Sequence, residues 1–140
     1  MDGHIISFGM KMTYEQHFMN KIEAINPGTD YSKLSLLPDD ISHDILREIL
    51  ETGCLSQNEA NIRLARKALY YVPSEWLYEH LPMVVPLYLF KEREWQEWEF
   101  RRMAEMLQNR FPDSFTWLVT YARKLDNPEV DEAICDYIEQ

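Results

Sequence analysis

Apolar residues recur at helical spacing along most of this chain. Phe18, Ile22 and Ile25 stand at i, i+4 and i+7, which puts them on one face of a helix. Thr13, with Gln16 three residues on, predicts the start of that helix. Asn26-Pro27-Gly28 predicts its end, since proline cannot continue the ladder and glycine takes a left-handed cap. The preceding residues 1–12 are apolar and methionine-rich and read as a packed arm or a short extended segment. Residues 27–38 form a long connection, pinned to the bundle by Leu34, Leu36 and Leu37.

A second helix is expected from Asp39 or Asp40, where acids complement the positive helix start, with Ile41, Ile45, Leu46, Ile49 and Leu50 inside and Gly53 as its stop. Ser56-Gln57-Asn58-Glu59 reads as a capping box, Ser56 at N-cap and Glu59 at N3. The helix it opens runs to about Tyr71, with Ile62, Ala65, Leu69 and Val72 inward, and Pro73 breaks it. Ser74 is expected to cap the next helix, which Pro82 and Pro86 either kink or split. A charged turn at 91–94 precedes a helix over about 95–110, and Phe111-Pro112-Asp113 separates that from one over about 113–125. Asn127 as N-cap with Pro128 at N1 opens the last helix, which carries Val130, Ile134, Tyr137 and Ile138. The pattern predicts one all-α domain over residues 1–140, of roughly seven helices, with no strand in residues 13–140.

The second half also repeats itself. Ile62-Arg63-Leu64-Ala65, Phe100-Arg101-Arg102-Met103-Ala104 and Val130-Asp131-Glu132-Ala133 share an apolar-charged opening to an alanine-centred face. Aligning Pro73 with Pro112 places Val72 over Phe111, Ala65 over Ala104 and Leu64 over Met103, an offset of 39 residues. The run Leu81-Pro82-Met83-Val84-Val85-Pro86-Leu87, the helix opening at Trp98-Glu99-Phe100-Arg101 and the turn Asp126-Asn127-Pro128-Glu129-Val130 resemble parts of the HEAT repeat family of helical solenoids, and the offset lies in the period range of such repeats. The resemblance covers about residues 61–140. It implies stacked helix pairs over 56–140, capped by residues 1–55, and a binding surface in place of a reaction centre. The third unit departs from it: Asp131 stands where the family has arginine, 30 residues after Arg101. A truncated solenoid and a compact helical bundle therefore both fit.

Charge narrows the function classes. The net charge is −10. Residues 38–60 hold six acidic groups against Arg47 alone, and residues 125–140 hold six acidic groups and no basic one. Such a field repels nucleic acid and anionic membranes and attracts cationic partners. The interleaved Arg63, Arg66, Lys67, Arg101 and Arg102 form no basic groove. The beginning of the chain lacks a basic region ahead of a long apolar core, and the apolar run 81–90 is half a membrane span, so the expectation is a cytoplasmic protein. Cys54 and Cys135, without CxxC spacing, read as buried reduced thiols.

Catalytic chemistry finds no motif. There is no HExxH, no GxGxxG or P-loop and no GxSxG. His4, His17, His43 and His80 are scattered; His43-Asp44 with Glu48 lacks a second histidine at i+4 and reads as surface charge, so no metal or cofactor is expected. A nucleophilic pair of Cys54 with His43 or His80 requires the fold to join them. Glu92, Glu94, Glu97 and Glu99 beside Trp95 and Trp98 read as a salt-bridged helix start and not as a glycosidase carboxylate pair, given Arg93, Arg101 and Arg102. The expectation is a non-enzymatic protein-binding module. Its profile is similar to that of small acidic bacterial immunity proteins, which cover basic toxin nucleases. That likeness implies contact through Asp39, Asp40, Asp44, Glu48 and Glu51 or through Asp126, Glu129, Asp131, Glu132 and Asp136, with Tyr70, Tyr71 and Trp95 as aromatic anchors. A HEAT-like scaffold within a larger assembly is the alternative, and an enzyme with an unrecognised site is the third class.

Overall fold

The computed structural model describes residues 16–86 and 97–138. These form seven α-helices and one 3-10 helix: α1 (His17–Ile25), the 3-10 segment (Tyr31–Leu36), α2 (Asp39–Leu55), α3 (Glu59–Tyr70), α4 (Ser74–Val84), α5 (Glu97–Leu107), α6 (Pro112–Arg123) and α7 (Pro128–Ile138). No strand occurs among the described residues, and the fold is all-α as the periodicity predicts. No helix among them is long and apolar enough to cross a membrane. The expected N-terminal arm and the start at Thr13, the turn at 91–94, and Trp95 lie outside the described residues.

α2 is the hub. It packs against α1, the 3-10 segment, α3, α4 and α5, while α6 and α7 pack against α5 and each other, and α6 also against α4. Its place follows from its sequence: Ile45, Leu46, Ile49, Leu50 and Cys54 are all buried, a stripe broad enough to meet helices on several sides. Each outer helix contributes a narrower stripe. Phe18 and Ile22 of α1, Ala65, Ala68 and Leu69 of α3, Leu77 and Leu81 of α4, Phe100, Met103 and Leu107 of α5, Leu118 and Ala122 of α6, and Val130, Ala133 and Ile134 of α7 close one continuous core. Leu34 pins the connection before α2, but Leu36 points outward at 78 % exposure, and so does Ile138 at 47 %.

Gly53 does not stop α2, which continues to Leu55. The glycine is buried, and a Cβ there would lie 2.7 Å from Met106 Sδ and Cε. The glycine leaves room for the end of the Met106 side chain of α5. The helix ends instead under Arg102 of α5, whose guanidinium Nη1 donates to the carbonyl oxygens of Cys54 (3.1 Å) and Ser56 (2.7 Å). A cation on the last carbonyls satisfies orphan acceptors and complements the negative helix end.

Ser56 thereby becomes the C-cap of α2, and the N-cap of α3 moves to Asn58, whose Oδ1 accepts from Asn61 N at 2.9 Å. Ser56 Oγ accepts from Asn58 N and supports that cap from behind. Pro73, not Ser74, occupies the position before α4, and Pro82 sits inside this helix. Gly28 takes φ +66°, as expected of the turn after α1. Asn127 caps α7 as expected: its Oδ1 accepts from Glu129 N and Val130 N. Asp126 before it holds φ +54°, a left-handed conformation that a short polar side chain tolerates.

Candidate functional site

The acidic block of α2 does not act as one surface. Asp40 and Asp44 are exposed, while Glu51 is half-buried and faces Arg47 across 3.9 Å. Glu48 corrects the sequence expectation. It is only 5 % exposed; its Oε1 accepts from Thr52 Oγ1 at 3.2 Å and lies 3.6 Å from Lys21 Nζ of α1. At position 48 the helix faces α1 and its carboxylate is committed to that joint, so it is not available to a partner.

Asp39, the first residue of α2, belongs to a different constellation. His43 follows one turn later and is buried, and α4 brings His80 to it, with 2.8 Å between His43 Nε2 and His80 Nδ1. The His80 ring stacks on Trp76, centroids 4.3 Å apart and planes 18° from parallel. Burial and then the neighbouring His80 lower the pKa of His43 below its ordinary value, against the pull of the Asp39 and Asp44 carboxylates. The neutral imidazole is favoured. The sequence reading set His43 beside Asp44 and Glu48, but the fold sets it beside Asp39 and His80. The i, i+4 spacing of Asp39 and His43 was a visible signal; the partner 37 residues away was not.

The α7 block is different. Asp126, Glu129, Asp131 and Glu132 are exposed, and none stands within ion-pair distance of a basic group among the described residues. Asp136 is exposed too, but its Oδ2 accepts from Arg101 Nη2 at 2.6 Å, and Arg101 Nε donates to Glu97 at 2.8 Å. Arg101 thus ties α7 to α5, helped by Tyr137, whose hydroxyl donates to the Arg101 carbonyl at 3.1 Å. That pairing engages Asp136 within the chain while leaving it exposed, unlike its four neighbours. It also accounts for Glu97 as one member of a salt-bridged helix, while Glu99 is buried.

Tyr70 and Tyr71, at the end of α3, are 48 % and 57 % exposed. Tyr71 borders a shallow apolar hollow of about 210 Å³ with Phe18, Met19, Tyr31 and Leu64. Trp98 is partly exposed and covered on one face by the Arg102 guanidinium, 5.1 Å from the ring centroid. Both thiols are free. Cys54 is buried, its pKa pushed up to about 12 by burial first and the Glu99 carboxylate second; Cys135, expected inside, is exposed because α7 turns that position to solvent. Neither thiol meets a histidine in the contacts above. Comparison with known proteins finds no matching family model, no matching curated protein and no matching solved structure.

Proposed function

We propose that this chain is a protein-binding module that holds a basic protein through the outward face of α7, with Asp40 and Asp44 of α2 as a second acidic contact. One observation carries the reading. Asp126, just before α7, and Glu129, Asp131 and Glu132 on its first turns are exposed, and none of them has an ion-pair partner among the described residues. The helix start offsets part of their mutual repulsion. A cationic partner offsets the rest, and the field speeds its approach. In its sharper form the partner is a toxin nuclease and the chain its immunity protein, since a surface that binds nucleic acid presents the complementary charge.

The test is affinity capture from the native host, followed by binding kinetics on the captured protein with wild-type chain and with a Glu129→Lys/Asp131→Lys/Glu132→Lys variant. The expected partner is basic, and the variant associates with it at least tenfold more slowly at low salt, with the difference shrinking as salt rises. Equal association rates, with the variant folded by circular dichroism, would remove the reading. The alternative, a HEAT-like scaffold subunit, draws on the exposed Tyr70 and Tyr71 and the hollow beside them. It predicts that Tyr71→Ala abolishes binding while reversal of the α7 charges does not.

A further inference from the structure

Asp39 and His43 stand one helical turn apart on α2, so the carboxylate and the imidazole project from the same side of that helix. α4 packs against that side and adds His80. One oxygen of Asp39 and one ring nitrogen from each histidine all lie within 4.8 Å of one another. The rings are held before any ligand arrives: His43 is 6 % exposed, and His80 is half-buried and stacked on Trp76. Asp39, exposed at the helix start, keeps rotational freedom.

We propose that Asp39, His43 and His80 form a binding site for a divalent first-row transition metal, for which zinc is the probe. Two imidazole nitrogens and one carboxylate oxygen are a borderline donor set that suits zinc and its neighbours and not calcium or magnesium, which require shells of oxygen. Metal–nitrogen bonds of about 2.0–2.1 Å at tetrahedral angles set ligating nitrogens about 3.3 Å apart. The His43–His80 pair, at 2.8 Å, must therefore open by roughly half an ångström, within reach of small side-chain rotations. The proton now shared between the two facing nitrogens moves to the far nitrogen of its own ring, a change of tautomer with no change of charge. Three protein ligands leave one position for water or for a group supplied by a partner. The bound ion would tie the first turn of α2 to α4. No α7 residue takes part, so this site and the acidic-face reading stand or fall separately.

The experiment titrates the untagged full chain, stripped with a chelator, with zinc chloride alone by calorimetry. The expected result is one zinc per chain at micromolar affinity or tighter, weakened by roughly tenfold or more in His80→Gln and in Asp39→Asn, and unchanged in His17→Gln. Cobalt in place of zinc gives the visible bands of a low-coordinate ion in the wild type and loses them in His80→Gln. Should a variant unfold, imidazole resonances of the wild-type chain supply the same reading: zinc must move those of His43 and His80 ahead of that of His17. Zinc affinity equal in the wild type and both ligand variants, or first perturbation of His17, overturns the proposal.

Discussion

α2 and α7 are both acidic helices, and they use their carboxylates in opposite ways. On α2, Glu48 is buried against Lys21 and Thr52, Glu51 faces Arg47 and Asp39 faces the histidine pair. On α7, Asp136 is engaged by Arg101, while Glu129, Asp131 and Glu132 are exposed and have no ion-pair partner among the described residues. The difference is one of position in the bundle. A helix surrounded by neighbours can bury a charge only where a neighbour answers it, and the other acids of α2, Asp40 and Asp44, point to solvent. A helix on the rim keeps its charges in water, where they cost little and remain available.

The strongest challenge to this contrast is a core truncation on each helix. Ile49→Ala in α2 removes a fully buried side chain surrounded by other elements and is expected to cost about 2–5 kcal/mol. Val130→Ala in α7 removes less volume and should cost no more than about half of that; urea unfolding measures both, and equal losses would deny α2 its central role. Next comes the carboxylate pair. Glu48→Ala should cost about 1–3 kcal/mol, because Thr52 loses its acceptor and Lys21 its counter-charge, whereas Glu132→Ala should stay within about 0.5 kcal/mol.

The smallest effect separates the two thiols. A pKa near 12 leaves Cys54 almost wholly protonated at pH 8, so a thiol reagent should label Cys135 quickly in the native chain and Cys54 only after denaturation. Two fast thiols in the native state would contradict the burial of α2. The same shift gives a sign for alkaline stability. A raised folded pKa favours the protonated native state, so the contribution is intact below the unfolded value of 9.0 and is lost as pH rises toward 12. Cys54→Ala should flatten that part of the curve.

Much of the fold was legible because its signals are local. Asn127-Pro128 opened α7, the break between α5 and α6 fell at Phe111-Pro112-Asp113 with Pro112 itself as the first residue of α6, and Phe18 and Ile22 of α1 and Ile45, Leu46, Ile49 and Leu50 of α2 fell inside as their spacing required. The misses share one cause: another helix intervened. Arg102, 46 residues beyond Ser56, extends α2 past Gly53 and turns Ser56 from the start of one helix into the end of another. Within Ser56-Gln57-Asn58-Glu59 nothing local decides between the two caps. The His43–His80 pair and the burial of Glu48 are likewise decided by α4 and α1. On α7 the exposure of Glu129, Asp131 and Glu132 follows from their charge and helical spacing, without reference to another helix. The exception there, Asp136, is again the one that meets another helix.

The close approach at Gly53 bears on how this chain could diverge. A side chain at position 53 and a long one at 106 compete for the same volume, since the missing Cβ would sit 2.7 Å from two Met106 atoms. The Met106 atoms are the far end of a flexible side chain, so alanine at 53 is met by a turn of that chain, and a bulkier residue there is the change that would require 106 to shorten.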